Sequence, residues 1–206
     1  MTATLENPNT TLEPHRFTVQ EYQKIFESGI LPQQRSQLIR GEIYVKPAMG
    51  KAHHDALRIL GKLLFKAYED LAEIICQSPI IIWNDFEPEP DYALIRSDFP
   101  GGIPEARDVL LAIEISDSTL KFDREKKLPD YARSSIPEVW ILNLLENQLE
   151  VYREPNGEQF LQLQIFKHER VVSALFAPEV MLEIRKALSS RGGQGESRAT
   201  PIEDPF

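Results

Sequence analysis

With 206 residues, 42% of them apolar, the chain is long enough for one well-buried core, while its net charge of -9 and pI near 5.0 argue against gripping nucleic acid by overall charge. An acidic balance does not exclude a nuclease, because an acidic metal site recruits cations and a basic patch can be local. The single cysteine, Cys76, excludes an intramolecular disulfide, and with no signal pattern and no apolar run of about 18 residues the chain reads as soluble and cytoplasmic, with no membrane partner.

Residues 1–14 lack periodicity, and residues 189–206 are rich in Gly, Ser, Pro and charge, so both ends are expected to be mobile around a single domain over 15–188. Thr18 followed by Glu21 is a capping-box pattern that starts a short helix through about Ser28. Leu38 to Val45 reads as a turn and a strand. From Ala52 to about Ala72 the stripe His53, Leu57, Leu60, Leu64, Ala67 and Leu71 predicts the longest helix. Strands are expected over Ile74 to Trp83, Asp91 to Arg96 and Asp108 to Ser116, and a short helix contains Lys127 to Ser134. Strands Val139 to Leu144, Gln148 to Arg153 and Gln159 to Phe166 follow, and Ala177 to Leu188 is a strand or a short helix. Trp83 and Trp140 are expected in the core. This order predicts an α/β fold, a mixed sheet with helices on its faces.

Asp91 and Glu114 each lie in a strand-like apolar stretch, where a carboxylate is costly to bury without a cation, a proton or a hydrogen bond. Alternation puts Val109, Leu111, Ile113 and Ile115 on one face, and Glu114 on the other with Leu110, Ala112 and Ser116. Asp91 shares a face with Ala93 and Ile95, at the mouth of its strand after Pro90. Neighbouring strands run about 4.8 Å apart, so two facing carboxylates can share one ion. Hard oxygen donors suit Mg²⁺ or Mn²⁺, and without a Cys/His cluster a structural zinc site is not expected. Taken singly, either acid reads more readily as a paired or edge-exposed carboxylate.

The pattern Pro90-Asp91, then Glu114-Ile115-Ser116, then a basic helix resembles the PD-(D/E)xK nuclease superfamily and, within it, the Uma-two family of restriction endonucleases. The likeness runs from about Phe17 to Val180. Leu38-Ile39-Arg40-Gly41-Glu42-Ile43, His53-His54, Gln77-Ser78-Pro79-Ile80, Glu87-Pro88-Glu89-Pro90-Asp91, Asp123 to Ala132 and Ile136-Pro137-Glu138-Val139-Trp140-Ile141 carry it. It implies a restriction-endonuclease-like core, with Asp91, Glu114 and the Ile115 carbonyl around Mg²⁺ or Mn²⁺. The superfamily's lysine position holds Ser116 here, and the family pattern moves that role to Lys127. On a helical wheel Lys127 lies near Tyr131, whereas Lys126 faces away. The family also implies a third acid from an N-terminal element, which is Glu42, and a Glu where Gln37 stands. As solvated residues, Glu42 would be a strand-edge acid and Lys127 a surface charge.

His53 in the first turn of the long helix reaches a phosphate or a carboxylate, or else packs with a hydrogen bond. The set Lys121, Arg124, Lys126, Lys127 and Arg133 is interleaved with acids and is only mildly basic. The expected function is metal-dependent hydrolysis of nucleic-acid phosphodiesters, DNA foremost, with a homodimer as a plausible assembly. Two alternatives stand beside it: a catalytically inactive interaction module on the same scaffold, and a hydrolase of another phosphate ester.

Overall fold

A computed structural model describes residues 12–31, 35–167 and 171–189. The expectations for the first and last residues of the chain therefore fall largely outside the described residues. The elements run α1 (Val19–Glu27), β1 (Ser36–Ile39), β2 (Glu42–Val45), α2 (Lys51–Tyr68), β3 (Ala72–Cys76), β4 (Tyr92–Arg96) and β5 (Val109–Ser116). A short helix α3 (Leu120–Phe122) passes through a π-helical stretch (Asp123–Lys127) into α4 (Leu128–Arg133). Then come β6 (Glu138–Asn143), β7 (Gln148–Asn156), β8 (Gln159–Phe166) and α5 (Arg185–Leu188).

Strands β3 to β8 form one mixed sheet in the order β3-β4-β5-β6-β7-β8, in which only β5 and β6 pair in parallel, while β1 and β2 form a separate two-stranded sheet. The crossover α3–α4 between them is what a parallel pair requires. α2 and the C-terminal segment cover one face, with Leu60, Leu64 and Tyr68 against Leu111, Ile113, Ile115 and Trp140. On the other, Tyr131 of α4 and Phe86 pack with Ala93, Ala112, Val139 and Ile141. Among the described residues no helix is long and apolar enough to cross a membrane.

The capping box at Thr18 and Glu21 forms as expected, in both directions. Several boundaries differ, each for a local reason. Leu38 to Val45 is a hairpin of two short strands, since Arg40 and Gly41 both take positive φ and close a two-residue turn. α2 buries Ala56, Leu60, Gly61, Leu64 and Tyr68, while Leu71, expected on its stripe, lies beyond its end and is exposed. β3 starts at Ala72 and stops at Cys76, because Gln77 turns left-handed at φ +49 and Pro79 follows. Asp91 precedes β4 by one residue, and Asp108 closes a 3₁₀ turn before β5.

Between Leu94 and Ile95 the register with β5 shifts, so Ile95 pairs with Val109 while Leu94 pairs with Leu111. This bulge reverses the alternation upstream of it. Val109 therefore packs with Ala112 and Ile95, not with Leu111 and Ile113 as strict alternation predicts. Trp140 is fully buried, but Trp83 is partly exposed, with the Arg133 guanidinium 5.2 Å from its ring centroid. The segment Ala177 to Leu188 contributes a single bridge, Val172 to Leu182, and the short helix α5.

Candidate metal centre

Antiparallel pairing brings Tyr92 opposite Ile113, so the next step along each strand carries Asp91 and Glu114 towards one another on the same face. Both are buried, at 5% and 3% exposure. The Ile115 N–H donates to Asp91 Oδ2 at 2.8 Å, which ties the mouth of β4 to the main chain of β5. Gln77 donates through Nε2 to Asp91 Oδ1 at 3.2 Å, and His53 Nε2, from the first turn of α2, lies 3.1 Å from the same oxygen. Burial alone would raise the Asp91 pKa, but the bond to His53, its charge, nearby Lys46 and the Ile115 N–H outweigh it and hold the acid at about 2.

Glu114 is gripped from the crossover helix. Lys127 Nζ lies 2.9 Å from Oε2, and the Tyr131 hydroxyl donates to Oε1 at 2.7 Å. Burial, followed by the charges of Asp123 and Asp91 against that of Lys127, pushes the Glu114 carboxyl up to about 7. Burial works against the Lys127 ammonium too, yet Glu114 and Asp123 hold its pKa above the ordinary lysine value, so Lys127 stays a cation.

Lys127 reaches its partner from a π-helical turn rather than from a regular helix, so the helical-wheel angle does not describe it. The Leu128 N–H bonds back to the Asp123 carbonyl, five residues earlier, and Pro129 sits in the first turn of α4. Asp123, on the same turn, accepts from Ser116 Oγ at 2.8 Å and from Thr119 Oγ1 at 2.7 Å, and its Oδ1 is 3.5 Å from Lys127 Nζ. Ser116, which the resemblance sets where a lysine is expected, thus anchors the turn that carries Lys127.

Asp91, Glu114, Asp123, Lys127, Lys46 and His53 all line one cavity of about 770 Å³. Sequence reasoning missed Lys46, Gln77 and Asp123. Lys46 follows β2 directly; its Nζ donates to the Glu89 carbonyl at 2.6 Å, and burial followed by repulsion from Lys127 lowers its pKa. The site's Gln77 owes its place to the left-handed bend noted above. Its signals were the motif Gln77-Ser78-Pro79-Ile80, which carries the family likeness without a stated role for Gln77, and the nearby Pro79. Glu42 is not brought to the cavity. It lies half-exposed on the hairpin, bonded to Arg16 and to the Tyr44 hydroxyl. Gln37 does line the cavity and accepts from the Glu89 N–H at 3.4 Å.

Asp91 Oδ2 and both Glu114 oxygens each accept from a single protein donor and keep a lone pair, whereas Asp91 Oδ1 already meets two. Two buried acids facing an open cavity, with a third acid alongside, make a hard-oxygen donor set that suits Mg²⁺ or Mn²⁺. Among the described residues no three His, Cys, Asp or Glu side chains gather closely enough to enclose an ion by themselves. An ion held by Asp91 and Glu114 would therefore keep several waters, as Mg²⁺ does.

The profile of the Uma2 family, described as "Putative restriction endonuclease", matches residues 19–185. The chain belongs to this family. No curated protein matches it. Among solved structures, the chain is similar to a protein from Anabaena variabilis described as "a putative nuclease belonging to DUF820". The TM-score is 0.65 at 20% identity, covering 84% of this chain and 98% of the other. That likeness shows the fold, a mixed sheet with helices on its faces.

Proposed function

We propose that this Uma2-family chain is a metal-dependent endonuclease acting on nucleic-acid phosphodiesters, with DNA as the favoured substrate. The observation that carries the reading is the convergence of Asp91, Glu114 and Lys127, all nearly excluded from water, on a single cavity. Asp91 and Glu114 would hold Mg²⁺ or Mn²⁺, with the Ile115 main chain beside them. When bound, that ion polarises a phosphate oxygen and lowers the pKa of water.

The chain's own groups divide the remaining work. Lys127, a cation at neutral pH, orients the attacking water or offsets negative charge growing on the phosphoryl oxygens. Asp123 and Glu114 hold its ammonium in place from two sides. Tyr131 fixes the rotamer of Glu114, and His53 with Gln77 fixes that of Asp91. Lys46, on the cavity wall, would meet a phosphate entering there.

The test is purified protein with labelled DNA and Mg²⁺ or Mn²⁺, compared with Asp91→Ala. Cleavage by the wild type that is lost in the variant supports the assignment; equal cleavage by both rejects it. Calorimetry separates the main alternative, since an inactive interaction module would bind neither ion.

A further inference from the structure

The two edges of the main sheet are built differently. β3 offers five residues and carries Glu73, whereas β8 offers eight with no charge between Gln159 and Phe166. Edge strands are normally blunted by charge, proline or shortness, because their unpaired N–H and C=O groups template another strand. Among the described residues the strand ladder of β8 runs to β7 alone. Leu161, Leu163 and Ile165 alternate onto one face and are 65%, 49% and 47% exposed.

The sequence of this edge is close to a palindrome: Phe160-Leu161-Gln162-Leu163-Gln164-Ile165-Phe166. Antiparallel pairing of two identical strands about a two-fold axis at Leu163 sets Leu163 against itself, Leu161 against Ile165, Gln162 against Gln164 and Phe160 against Phe166. Aliphatic meets aliphatic and amide meets amide along the whole strand. Slipping the register by one residue destroys this, setting glutamine against leucine. The flanks agree in charge. Glu158 precedes the strand and Lys167 follows it, so the antiparallel arrangement brings the base of each copy to the acidic end of the other. A parallel arrangement would stack like charges. Arg133 lies 3.7 Å from Glu158 in an exposed pair, which keeps Glu158 at the surface.

We infer that β8 is the surface through which two copies of this chain pair edge to edge, extending one sheet across a two-fold dimer. Such an interface is isologous, the same patch meeting itself. It does not depend on the nuclease reading, and it names the surface and register of the assembly.

Sedimentation equilibrium on the full chain tests it, with Leu163→Lys and Leu163→Glu. The wild type is expected at twice the chain mass. Each variant alone is expected as a monomer with an unchanged circular dichroism spectrum, because like charges meet on the axis. Mixing the two restores a dimer, since lysine then faces glutamate. A second measurement covers the case in which the charged variants do not fold. Opposite residues of an antiparallel pair have Cα atoms about 4.5–5.5 Å apart, within disulfide reach. Leu163→Cys on a Cys76→Ser background should therefore oxidise to a covalent dimer. A monomeric wild type, a dimer indifferent to Leu163→Lys, or no cross-link at position 163 overturns the proposal.

Discussion

Lys127 Nζ stands 2.9 Å from Glu114 Oε2, both side chains almost wholly buried, so a lysine on the crossover helix neutralises an acid in the middle of β5. Removing one member of a buried pair costs about 3–5 kcal/mol when the other stays charged. Glu114 escapes part of that cost by taking up a proton, as its raised pKa allows. Lys127→Met is therefore expected to lower stability by about 2–4 kcal/mol. Loss of a cation at the reacting phosphate should also cost about 100-fold or more in kcat. Lys127→Arg restores most of the stability, because the charge returns, but not the rate. Thermal unfolding and single-turnover cleavage check the two effects separately.

Tyr131 makes a milder test of the same acid. Its hydroxyl donates to Glu114 Oε1 at 2.7 Å from a fully buried ring, so Tyr131→Phe removes one charge-assisted hydrogen bond and little volume. The expected loss is about 1.5–3 kcal/mol of stability. Under the proposed metal-dependent function, a group that orients a ligand in this way supports about 10–100-fold in metal affinity. Titration calorimetry with Mn²⁺ reads that change; affinity equal to the wild type removes Tyr131 from the site.

Metal binding should depend on pH in a stated direction. Glu114 keeps its proton to about pH 7 in the metal-free protein, and an ion binds only the carboxylate. Mg²⁺ affinity is expected to rise about tenfold per pH unit below 7, with one proton released per ion there, and to level off above it. In the metal-free protein the sign for folding is the reverse. A carboxyl whose folded pKa exceeds its ordinary 4.5 contributes stability fully below 4.5 and loses it as pH rises through about 7. Melting curves without metal should fall across that window, and added Mg²⁺ should flatten the fall.

His53 and Asp91 act in a different window. Asp91 is held at about 2, so its contribution is present above its ordinary 3.8 and lost as pH falls through 2. For His53, burial lowers the pKa, but the bond to Asp91 and its charge win and raise it above 6.5. Its contribution is complete below 6.5 and lost as pH rises through the raised value. The pair is thus intact between roughly pH 4 and 6.5. His53→Ala should cost about 1 kcal/mol at pH 5 and less at pH 8, by denaturant unfolding. An equal cost at both values refutes the charged pairing.

Much of this architecture was legible in the residues, and its gaps have physical causes. The helix of α2, the six main strands (β3 with its end placed too late) and the pair Asp91 and Glu114 follow from apolar periodicity and from acids in apolar runs. The bulge that turns Val109 over was not legible, because it arises from register with β4 and leaves no Gly or Pro in β5. Nor was the π turn at Asp123–Lys127, whose charged sequence reads as a solvated helix face. Lys46 was hidden because its partner, the Glu89 carbonyl, lies 43 residues away, and Asp123 because its partners Ser116 and Thr119 meet it only once the chain turns after β5. Glu42 shows the converse, a motif position that Arg16 and Tyr44 draw to the surface.

Gly61 gives a prediction that rests on packing alone. It lies in the middle of α2, where alanine would ordinarily stabilise a helix by about 1 kcal/mol. Here an added Cβ would fall 2.3 Å from the hydroxyl oxygen of Tyr92, whose buried ring is held by a 2.8 Å hydrogen bond from that hydroxyl to the Leu57 carbonyl. Overpacking of this kind costs about 1–3 kcal/mol, so Gly61→Ala should destabilise despite its better helix propensity. Tyr92 follows Asp91 directly, and shifting the ring should also weaken metal binding. Tyr92→Phe by itself loses the bond to Leu57, at about 1 kcal/mol. In the double variant the clashing oxygen is absent, so Gly61→Ala with Tyr92→Phe should cost less than the sum of the two single changes, by about 1–2 kcal/mol. Strictly additive unfolding free energies would show that the helix and the start of β4 are not in contact at this point.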